Sequence, residues 1–176
     1  DSFRVLIIHN PTSGRAGSRL LVRVLDRLAG AGVACDLQAT AQRGDAEAMA
    51  RDACGNDYAV IVAAGGDGTI GEVVNGLGSG APPLAIIPLG TANVLAGEIG
   101  LSRRAAQIAA TIKGGRARDI FMGRANGRRF LVMAGAGLDA EVVQGVSSKL
   151  KKYLGKSSYL IETMKKMFLY DYPILT

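Results

Sequence analysis

A single carboxylate, Asp67, stands among glycines at the end of an apolar run in VAAGGDGTIGEVVNGL, residues 62–77. Glycines let backbone N–H groups approach an anion closely, and the N-terminus of a helix favours negative charge. An aspartate placed there would repel a phosphate group unless a Mg²⁺ ion lay between them, or unless it oriented an attacking hydroxyl. Both roles belong to phosphoryl transfer, so this stretch indicates that chemistry.

Two other interpretations of the same stretch must be weighed. Asp67 can instead cap the helix expected over residues 69–77, which is a structural role without chemistry. The spacing Gly66-x-Gly68-x-x-Gly71 also matches a dinucleotide-binding fingerprint. That fingerprint requires an acidic residue about 20 positions further on to hold the ribose, whereas residues 73–97 contain no Asp or Glu. A dinucleotide site is therefore disfavoured, and the capping role stays open beside the chemical one.

Two further loops carry small polar residues at the ends of apolar runs. NPTSG occupies residues 10–14, and PLGTAN occupies residues 88–93. In a parallel sheet the carboxyl ends of all strands lie on one edge, and ligands bind there. The residues expected to converge on one crevice are Asn10, Ser13, Gly14, Gly65, Gly66, Asp67, Gly68, Thr69, Gly90, Thr91 and Asn93.

The elements that must position these loops alternate between strands and helices. Strands are predicted over residues 4–9, 33–40, 58–64 and 83–89, of which 4–9 and 58–64 are apolar runs. Helices are predicted over 18–32 with Ser18 as the N-cap, from near Asp45, over 69–77, and as two short helices before residue 114. This alternation predicts an α/β fold, a parallel sheet with helices on both faces.

The pattern changes near residue 114. Asn126-Gly127 between two short runs of strand character is a strong hairpin signal. Further on, residues 157–170 place Leu160, Ile161, Met164, Met167 and Phe168 on one helical face. We therefore expect an α/β domain over residues 1–114 and the beginning of an incomplete β-rich domain over residues 115–176.

The charge of the chain is unevenly distributed. Residues 1–102 carry 7 basic and 10 acidic side chains, whereas residues 103–129 carry 8 basic and 1 acidic. The basic part suits an anionic partner such as a nucleotide or phospholipid headgroups, although a solvated surface would have the same composition. A nucleic-acid partner is disfavoured because aromatic stacking residues are not interleaved with the basic ones.

The chain has few histidine and cysteine residues that could act in catalysis or bind a metal. His9 is the single histidine, and Cys35 and Cys54 show no Cys-x-x-Cys spacing. A zinc site or a Ser-His-Asp triad is therefore poorly supported, and the cysteines are predicted to be buried free thiols of a cytosolic protein. No apolar run is long enough to cross a bilayer.

Taken together, HNPTSGR, GGDGTIGEVVNGL and PLGTANVLA, in this order and spacing, resemble the diacylglycerol kinase catalytic domain family. That family includes bacterial lipid kinases and sphingosine kinases and is distantly related to NAD kinases and phosphofructokinases. The resemblance extends through DIFMGRANGRRFLVMAGAGLDAEVV, which is similar to the family's entry into its second domain. The resemblance implies that ATP binds in the cleft between an α/β domain and a β-sandwich domain. It also implies that the γ-phosphate of ATP is transferred to a lipid hydroxyl, with Mg²⁺ as cofactor.

The resemblance also implies roles for particular residues. The nucleotide phosphates would be lined by Asn10, Ser13, Gly14, Gly65, Gly66, Asp67, Gly68 and Thr69, with Glu72 and Thr91 in support. Asp67 would be the catalytic carboxylate. Asp119 matches an aspartate that, in bacterial members, joins a metal or water network with the aspartate corresponding to Asp67.

The chain also departs from the family pattern. Gly71 precedes Glu72 where many members have asparagine, Val94 stands where many have aspartate, and the late acidic residue regarded as the general base has no match. We therefore expect a catalytically incomplete fragment of a lipid kinase, cytoplasmic and peripherally bound at an anionic membrane surface. A homodimer is left open. The alternatives are a non-catalytic nucleotide-binding module and an NAD kinase-like kinase of a soluble substrate.

Overall fold

The computed structural model describes residues 3–13 and 15–133. The chain divides into two units, Asp1–Val132 and Met133–Thr176, and every element below belongs to the first. The predicted role of Gly14 and the predictions on residues 134–176, including the apolar face at Leu160–Phe168, lie outside the described residues. The domain boundary between residues 114 and 115 stays a prediction.

Four parallel strands form the main sheet in the order β2-β1-β3-β4. Their bounds are β1 Arg4–His9, β2 Ala34–Ala39, β3 Val60–Gly65 and β4 Leu84–Pro88. β1 and β3 lie in the centre, and both are almost wholly buried, whereas the edge strand β2 is largely exposed. Central strands of a parallel sheet are covered on both faces, which explains why their sequences are continuously apolar.

Helices cover both faces of this sheet, as predicted. They are α1 Arg15–Gly30, α2 Asp45–Ala53, α3 Asp67–Gly76, α4 Val94–Glu98 and α5 Ala105–Gly114. Side chains alternate along β1, so Val5 and Ile7 pack in one core with α1 and α5, while Leu6 and Ile8 pack in another with α2 and α3. The predicted α/β fold is confirmed.

The start of α1 was predicted incorrectly. The helix begins at Arg15, so Ser18 lies inside it and is not its N-cap. The first turn of α1 makes a close tertiary contact, because an added Cβ on Gly17 would lie 2.9 Å from the Cβ of Leu89, the residue after β4. A capping signal in the local sequence does not report such a contact.

The two cysteines are free, as predicted, but they are half-buried rather than buried. Cys35 lies on the edge strand β2, where only part of the side chain is covered, and that burial raises the pKa of its thiol. Cys54 ends α2, and its sulfur accepts a hydrogen bond from the backbone N–H of Gly78 at 3.4 Å. Both positions are peripheral to the two cores.

The predicted hairpin is confirmed. β5 Gly123–Ala125 and β6 Arg128–Phe130 pair antiparallel. The two turn residues, Asn126 and Gly127, have φ values of 48° and 77°, which is the conformation that favours Asn-Gly in two-residue hairpin turns.

A reciprocal contact, here called the Asn75–Arg129 clasp, fixes the hairpin to the C-terminal end of α3. The Asn75 side chain accepts from the backbone N–H of Arg129 and donates to its carbonyl, both at 2.9 Å. The Arg129 guanidinium in turn donates to the carbonyls of Asn75 at 3.0 Å and Leu77 at 2.6 Å. The last carbonyls of a helix lack intrahelical partners, and here the arginine satisfies them.

The packing of α2 against α3 provides a stability test. A Cβ on the buried Gly76 would lie 2.8 Å from the Cβ of Ala50 and closer still to the carbonyl oxygen of Glu47. Forcing extra volume into a packed contact costs about 1–3 kcal/mol. We expect Gly76→Ala to lower the free energy of unfolding by about 2 kcal/mol in urea denaturation.

Gly71→Ala is the matched control, because Gly71 lies in the same helix with nothing within 4 Å of an added Cβ. It should raise stability by up to about 1 kcal/mol, the helix-propensity difference between glycine and alanine. Equal effects of the two substitutions would contradict the close α2–α3 contact.

Candidate functional site

Two loops meet at the carboxyl edge of the sheet between its central strands. The chain leaves β1 towards β2 and returns to the other side of β1 as β3, so the order of strands reverses between these two neighbours. Crevices at such a reversal are where ligands bind in open α/β sheets. The residues predicted from NPTSG and GGDGT follow β1 and β3, and the structure brings them together at this place.

Asn10 connects the two loops. Its backbone N–H donates to the carbonyl of Ala64 at 3.0 Å, and its side-chain amide donates to the hydroxyl of Thr69 at 3.3 Å. The Asn10 side-chain oxygen also accepts from the backbone N–H and the hydroxyl of Thr12, at 2.9 and 2.8 Å. The backbone N–H of Ser13 donates to the Asn10 carbonyl at 3.1 Å. Asn10 thus holds the first loop against the start of α3.

The glycines of the second loop have different surroundings. Gly65 ends β3, and an added Cβ there would collide with the side chain of Thr69. Gly66 lies against Gly90 of the third loop, because a Cβ on Gly90 would be 2.5 Å from the Cα of Gly66. Gly68 is exposed, with nothing within 4 Å of an added Cβ. Gly65, Gly66 and Gly90 therefore serve close packing, whereas Gly68 faces open space.

Asp67 is the first residue of α3, yet its carboxylate binds another helix. Its oxygens accept hydrogen bonds from the backbone N–H groups of Val94 and Leu95, both at 3.1 Å. These are the first residues of α4, whereas the N-cap of α3 is Gly66, which has no side chain to bond. Asp67 therefore does cap a helix, but the helix is α4 and not the predicted one, α3. The Val94 position keeps this contact through its backbone, whichever side chain it carries.

The third loop is fixed by Asn93. This residue is buried and has a φ of 48°, in the left-handed region that asparagine tolerates. Its side-chain amide donates to the carbonyl of Gly90 at 2.7 Å, and its side-chain oxygen has no partner among the described residues. Thr91 lies between them on the surface and is exposed.

A cavity of about 560 Å³ adjoins the start of α3. Of the predicted residues, Asn10, Gly68, Thr69 and Glu72 line it. Its remaining lining residues were not predicted from the sequence; they are Thr12, Thr40, Ala41, Gln42, Arg43, Ala46, Gly71, Asn75, Arg128 and Arg129. Thr40 had a detectable signal, because it follows β2 at the same edge of the sheet. The two hairpin arginines reach the cavity only through the Asn75–Arg129 clasp, which no local pattern reveals.

Two carboxylates, Glu72 on the lining and Asp45 outside it, fix the loop that forms one wall of this cavity. Glu72 accepts a hydrogen bond from the backbone N–H of Gly44 at 3.0 Å, which ties α3 to the loop before α2. Asp45 accepts from the backbone N–H groups of Gln42 at 2.9 Å and Ala41 at 2.8 Å. These two bonds hold the pKa of Asp45 below its usual range. The loop between β2 and α2 is thus fixed beside α3.

Asp119 lies exposed between α5 and β5. Within residues 3–13 and 15–133, no three His, Cys, Asp or Glu side chains form a group that could hold a metal. A Mg²⁺ ion in a kinase needs only one or two protein carboxylates, because phosphate oxygens and water supply the other ligands. Asp67 and Asp119 therefore remain predicted metal-binding residues.

Comparison with known proteins gives a consistent result. The family described as Diacylglycerol kinase catalytic domain matches residues 4–125. The chain is 42% identical over 168 residues to a protein named Diacylglycerol kinase from Bacillus subtilis, which covers 93% of this chain and 55% of that protein. It is 38% identical over 159 residues to "Probable lipid kinase YegS-like" from Pseudomonas aeruginosa, covering 89% of this chain and 51% of that protein. The chain thus spans about half the length of these relatives.

Solved structures from Bacillus anthracis str. Sterne share the fold. One superposes with a TM-score of 0.74 at 32% identity, over 90% of this chain and 54% of that chain. Another, a diacylglycerol kinase, superposes with a TM-score of 0.65 at the same identity, over 73% of this chain and 48% of that chain.

The contact between Asp67 and α4 can be tested directly. Asp67→Ala removes both acceptors, and losing such a cap costs about 1–2 kcal/mol. We expect that fall in the free energy of unfolding, together with faster hydrogen exchange at the amides of Val94 and Leu95.

Asp67→Asn keeps one side-chain oxygen and should have the smaller effect on both measurements. Unchanged exchange at Val94 and Leu95 in the alanine variant would show that Asp67 does not hold α4.

Proposed function

The chain belongs to the diacylglycerol kinase catalytic domain family, and on that premise we propose that it binds ATP with Mg²⁺ for transfer of the γ-phosphoryl group to a lipid hydroxyl. The nucleotide lies at the carboxyl edge of the sheet, with its phosphates at the start of α3. The observation that carries this proposal is the exposed Gly68 beside a formed cavity, at the N-terminus of a helix that Asn10 holds in place.

The start of α3 has the properties of a phosphate site. The first N–H groups of a helix have no intrahelical acceptor, and the helix dipole favours an anion there. Gly68 is in this first turn, and without a side chain it lets a phosphate reach the backbone. Gly66, Thr69 and the loop from Asn10 to Ser13 complete this side of the proposed site, and Glu72 and Thr91 are proposed to support it.

The cavity fits the rest of a nucleotide. Its volume of about 560 Å³ lies within the range of small-molecule sites. Arg43, Arg128 and Arg129 on its lining supply positive charge opposite an anionic ligand. Arg128 also pairs with Glu47 at 2.8 Å, and the other carboxylate oxygen of Glu47 pairs with Arg51 at 2.9 Å. The guanidinium of Arg128 is therefore oriented on the rim of the cavity.

Asp67 fits a Mg²⁺ ion bound together with phosphates. Each of its carboxylate oxygens accepts one backbone N–H and keeps a second lone pair for another partner. Asp67, with Asp119 as a proposed second ligand, would hold the ion beside the phosphate oxygens. The ion would neutralise charge on the phosphates, while Asp67 stays fixed by α4.

The acceptor is proposed to be a diacylglycerol-like or sphingoid lipid, reached at an anionic membrane surface from the cytoplasm. Two relatives are named as kinases of diacylglycerol or lipid. None of the helices in the described part of the chain combines the length and hydropathy needed to cross a bilayer. Arg103 and Arg104, at the start of the basic stretch over 103–129, support peripheral attraction to anionic lipid.

A non-catalytic nucleotide-binding module is the second candidate. Glu72 is the sole carboxylate among the described residues that line the cavity, and its oxygen accepts from the N–H of Gly44. A general base must reach the acceptor hydroxyl within hydrogen-bond distance. The described lining therefore offers Glu72 as its one carboxylate base, and the bond from Gly44 holds that side chain at the loop before α2. On this second candidate, the 176-residue chain by itself binds a nucleotide without phosphorylating a lipid.

Nucleotide binding can be tested at Gly68. We expect isothermal titration calorimetry to show ATP-Mg²⁺ binding, and we expect Gly68→Ala to weaken it about tenfold or more, because a Cβ would separate phosphate from backbone. The melting temperature should not fall, since nothing lies within 4 Å of that Cβ.

Gly114→Ala, at the end of α5 and equally unobstructed, is the control and should bind ATP like the parent. If Gly68→Ala also binds ATP like the parent, the phosphates lie elsewhere.

Phosphoryl transfer is tested with radiolabelled ATP and mixed micelles of diacylglycerol or a sphingoid base, with NAD as the soluble alternative. The assay is run on this chain and, in parallel, on the product of its whole gene. We expect the product of the whole gene to phosphorylate lipid and this chain alone not to. The Asp67→Asn variant of the whole gene product should lose that activity. Phosphorylation of NAD instead would refute the lipid acceptor, and robust lipid phosphorylation by the chain alone would refute the second candidate.

A further inference from the structure

A second cavity of about 640 Å³ lies between α1 and α5. Both helices pack on the face of the sheet opposite α2 and α3. Eight residues line this cavity, and four of them, here called the arginine cluster, are Arg23, Arg27, Arg103 and Arg104. The other lining residues are Leu20, Asp26, Ala105 and Ala106. No nucleotide-site residue named above belongs to this set.

The fold itself brings the four arginines together. On α1, Leu21, Val24 and Leu28 are buried, so the positions next to them, Arg23 and Arg27, face outward one turn apart. The end of α5 is tied to the end of α1, because the Lys113 ammonium donates to the carbonyl of Ala31 at 2.7 Å. The two helices lie side by side from that point, which places the beginning of α5 beside the middle of α1.

Arg103 and Arg104 immediately precede α5 and are held there by its first turn. The backbone N–H of Arg104 donates to the hydroxyl of Ser102 at 3.0 Å, and that hydroxyl also contacts the side chain of Gln107. The carbonyl of Arg104 accepts from the N–H groups of Gln107 and Ile108, both at 3.0 Å. The cluster is therefore built on helices and a fixed helix start.

Charge in the arginine cluster is not balanced within the described residues. Among the side chains that the structure describes, those of residues 3–13 and 17–133, three ion pairs join Arg4 to Asp36, Arg51 to Glu47, and Arg128 to Glu47. The cavity lining contains one carboxylate, Asp26, against four guanidinium groups, which gives it a formal charge of +3. Like charges held close together repel one another, and a bound anion relieves that repulsion.

The chemistry of the lining suits phosphate esters in particular. A guanidinium group presents a planar fork of N–H donors that matches phosphate oxygens and binds them in pairs. Leu20, Ala105 and Ala106 add apolar surface between the arginines, and Val22, next to Arg23 on α1, is 55% exposed. A phospholipid bilayer presents phosphate groups next to apolar chains, so a lining of arginines and apolar side chains is complementary to its headgroup region.

We propose that the arginine cluster docks this protein on the anionic phospholipid headgroups of a bilayer. The proposal rests on the lipid acceptor proposed above, since a lipid kinase must reach its substrate at a membrane. It adds which face does so: the outer side of α1 and the beginning of α5, separate from the nucleotide cavity.

The experiment measures sedimentation of the 176-residue chain with vesicles of phosphatidylglycerol and phosphatidylcholine in equal amounts, and with phosphatidylcholine alone. Each basic residue near an anionic surface contributes about fivefold in binding. We expect Arg23→Ala/Arg27→Ala and Arg103→Ala/Arg104→Ala each to lower the partition coefficient on the anionic vesicles about 25-fold. Binding should also fall as salt rises above about 0.1 M.

Arg116→Ala/Arg118→Ala is the matched control, because it removes the same charge from exposed positions after α5. It should keep binding within about twofold of the parent, since long-range attraction alone is screened within about 10 Å at 0.1 M salt. Losses equal to those of the cluster variants would show that net charge binds the vesicles, and would overturn the proposal.

Two further outcomes would also overturn it. One is that the parent chain does not bind anionic vesicles. The other is that inorganic phosphate releases much more of the bound chain from the vesicles than chloride does at the same ionic strength. That result would identify the cluster as a site for soluble phosphate. ATP binding is measured on the same variants and should be unchanged. If the parent chain binds ATP but the docking prediction fails, the proposed nucleotide function still stands. If the parent chain does not bind ATP, the nucleotide function is refuted instead.

Discussion

The close approach of the second and third loops is the constraint on which the rest of the candidate site depends. Gly66 and Gly90 touch through their backbones, with no space for a side chain on Gly90. Because the loops meet there, the carboxylate of Asp67 reaches the first N–H groups of α4. A side chain at this contact would move α4 away from α3, and Asp67 would lose both partners. The surplus of glycines around one carboxylate thus has a packing explanation as well as a chemical one.

The structural and chemical roles of Asp67 are compatible. A carboxylate oxygen has two lone-pair directions, and each oxygen of Asp67 uses one for a backbone N–H. The fixed N–H groups orient the carboxylate before any ligand arrives, so its remaining lone pairs point in set directions. Such preorganisation is what electrostatic stabilisation of a reacting phosphoryl group requires. A capping contact is therefore no argument against a functional aspartate when the cap belongs to a different helix.

The features that could be predicted from the sequence are those determined by a few adjacent residues. Continuous apolar runs located β1, β3 and β4, and Asn126-Gly127 located the hairpin, because each pattern is contained in a few adjacent residues. The bond from Asp67 to Val94, the Gly66–Gly90 contact and the clasp join segments 24 to 54 residues apart. No spacing rule covers such pairs. The same reason explains the missed cavity residues of the hairpin and the missed contact between the first turn of α1 and Leu89.

Helix α3 is the element that relates the parts of the site to one another. Its first turn carries Asp67 and Gly68, its middle holds the loop before α2 through Glu72, and its last turn holds the hairpin through Asn75. Gly76 brings the same helix into direct contact with α2. A ten-residue helix is rigid and about 15 Å long. The distances between the phosphate end, the loop before α2 and the hairpin are therefore set by the length of one helix, which contacts all three.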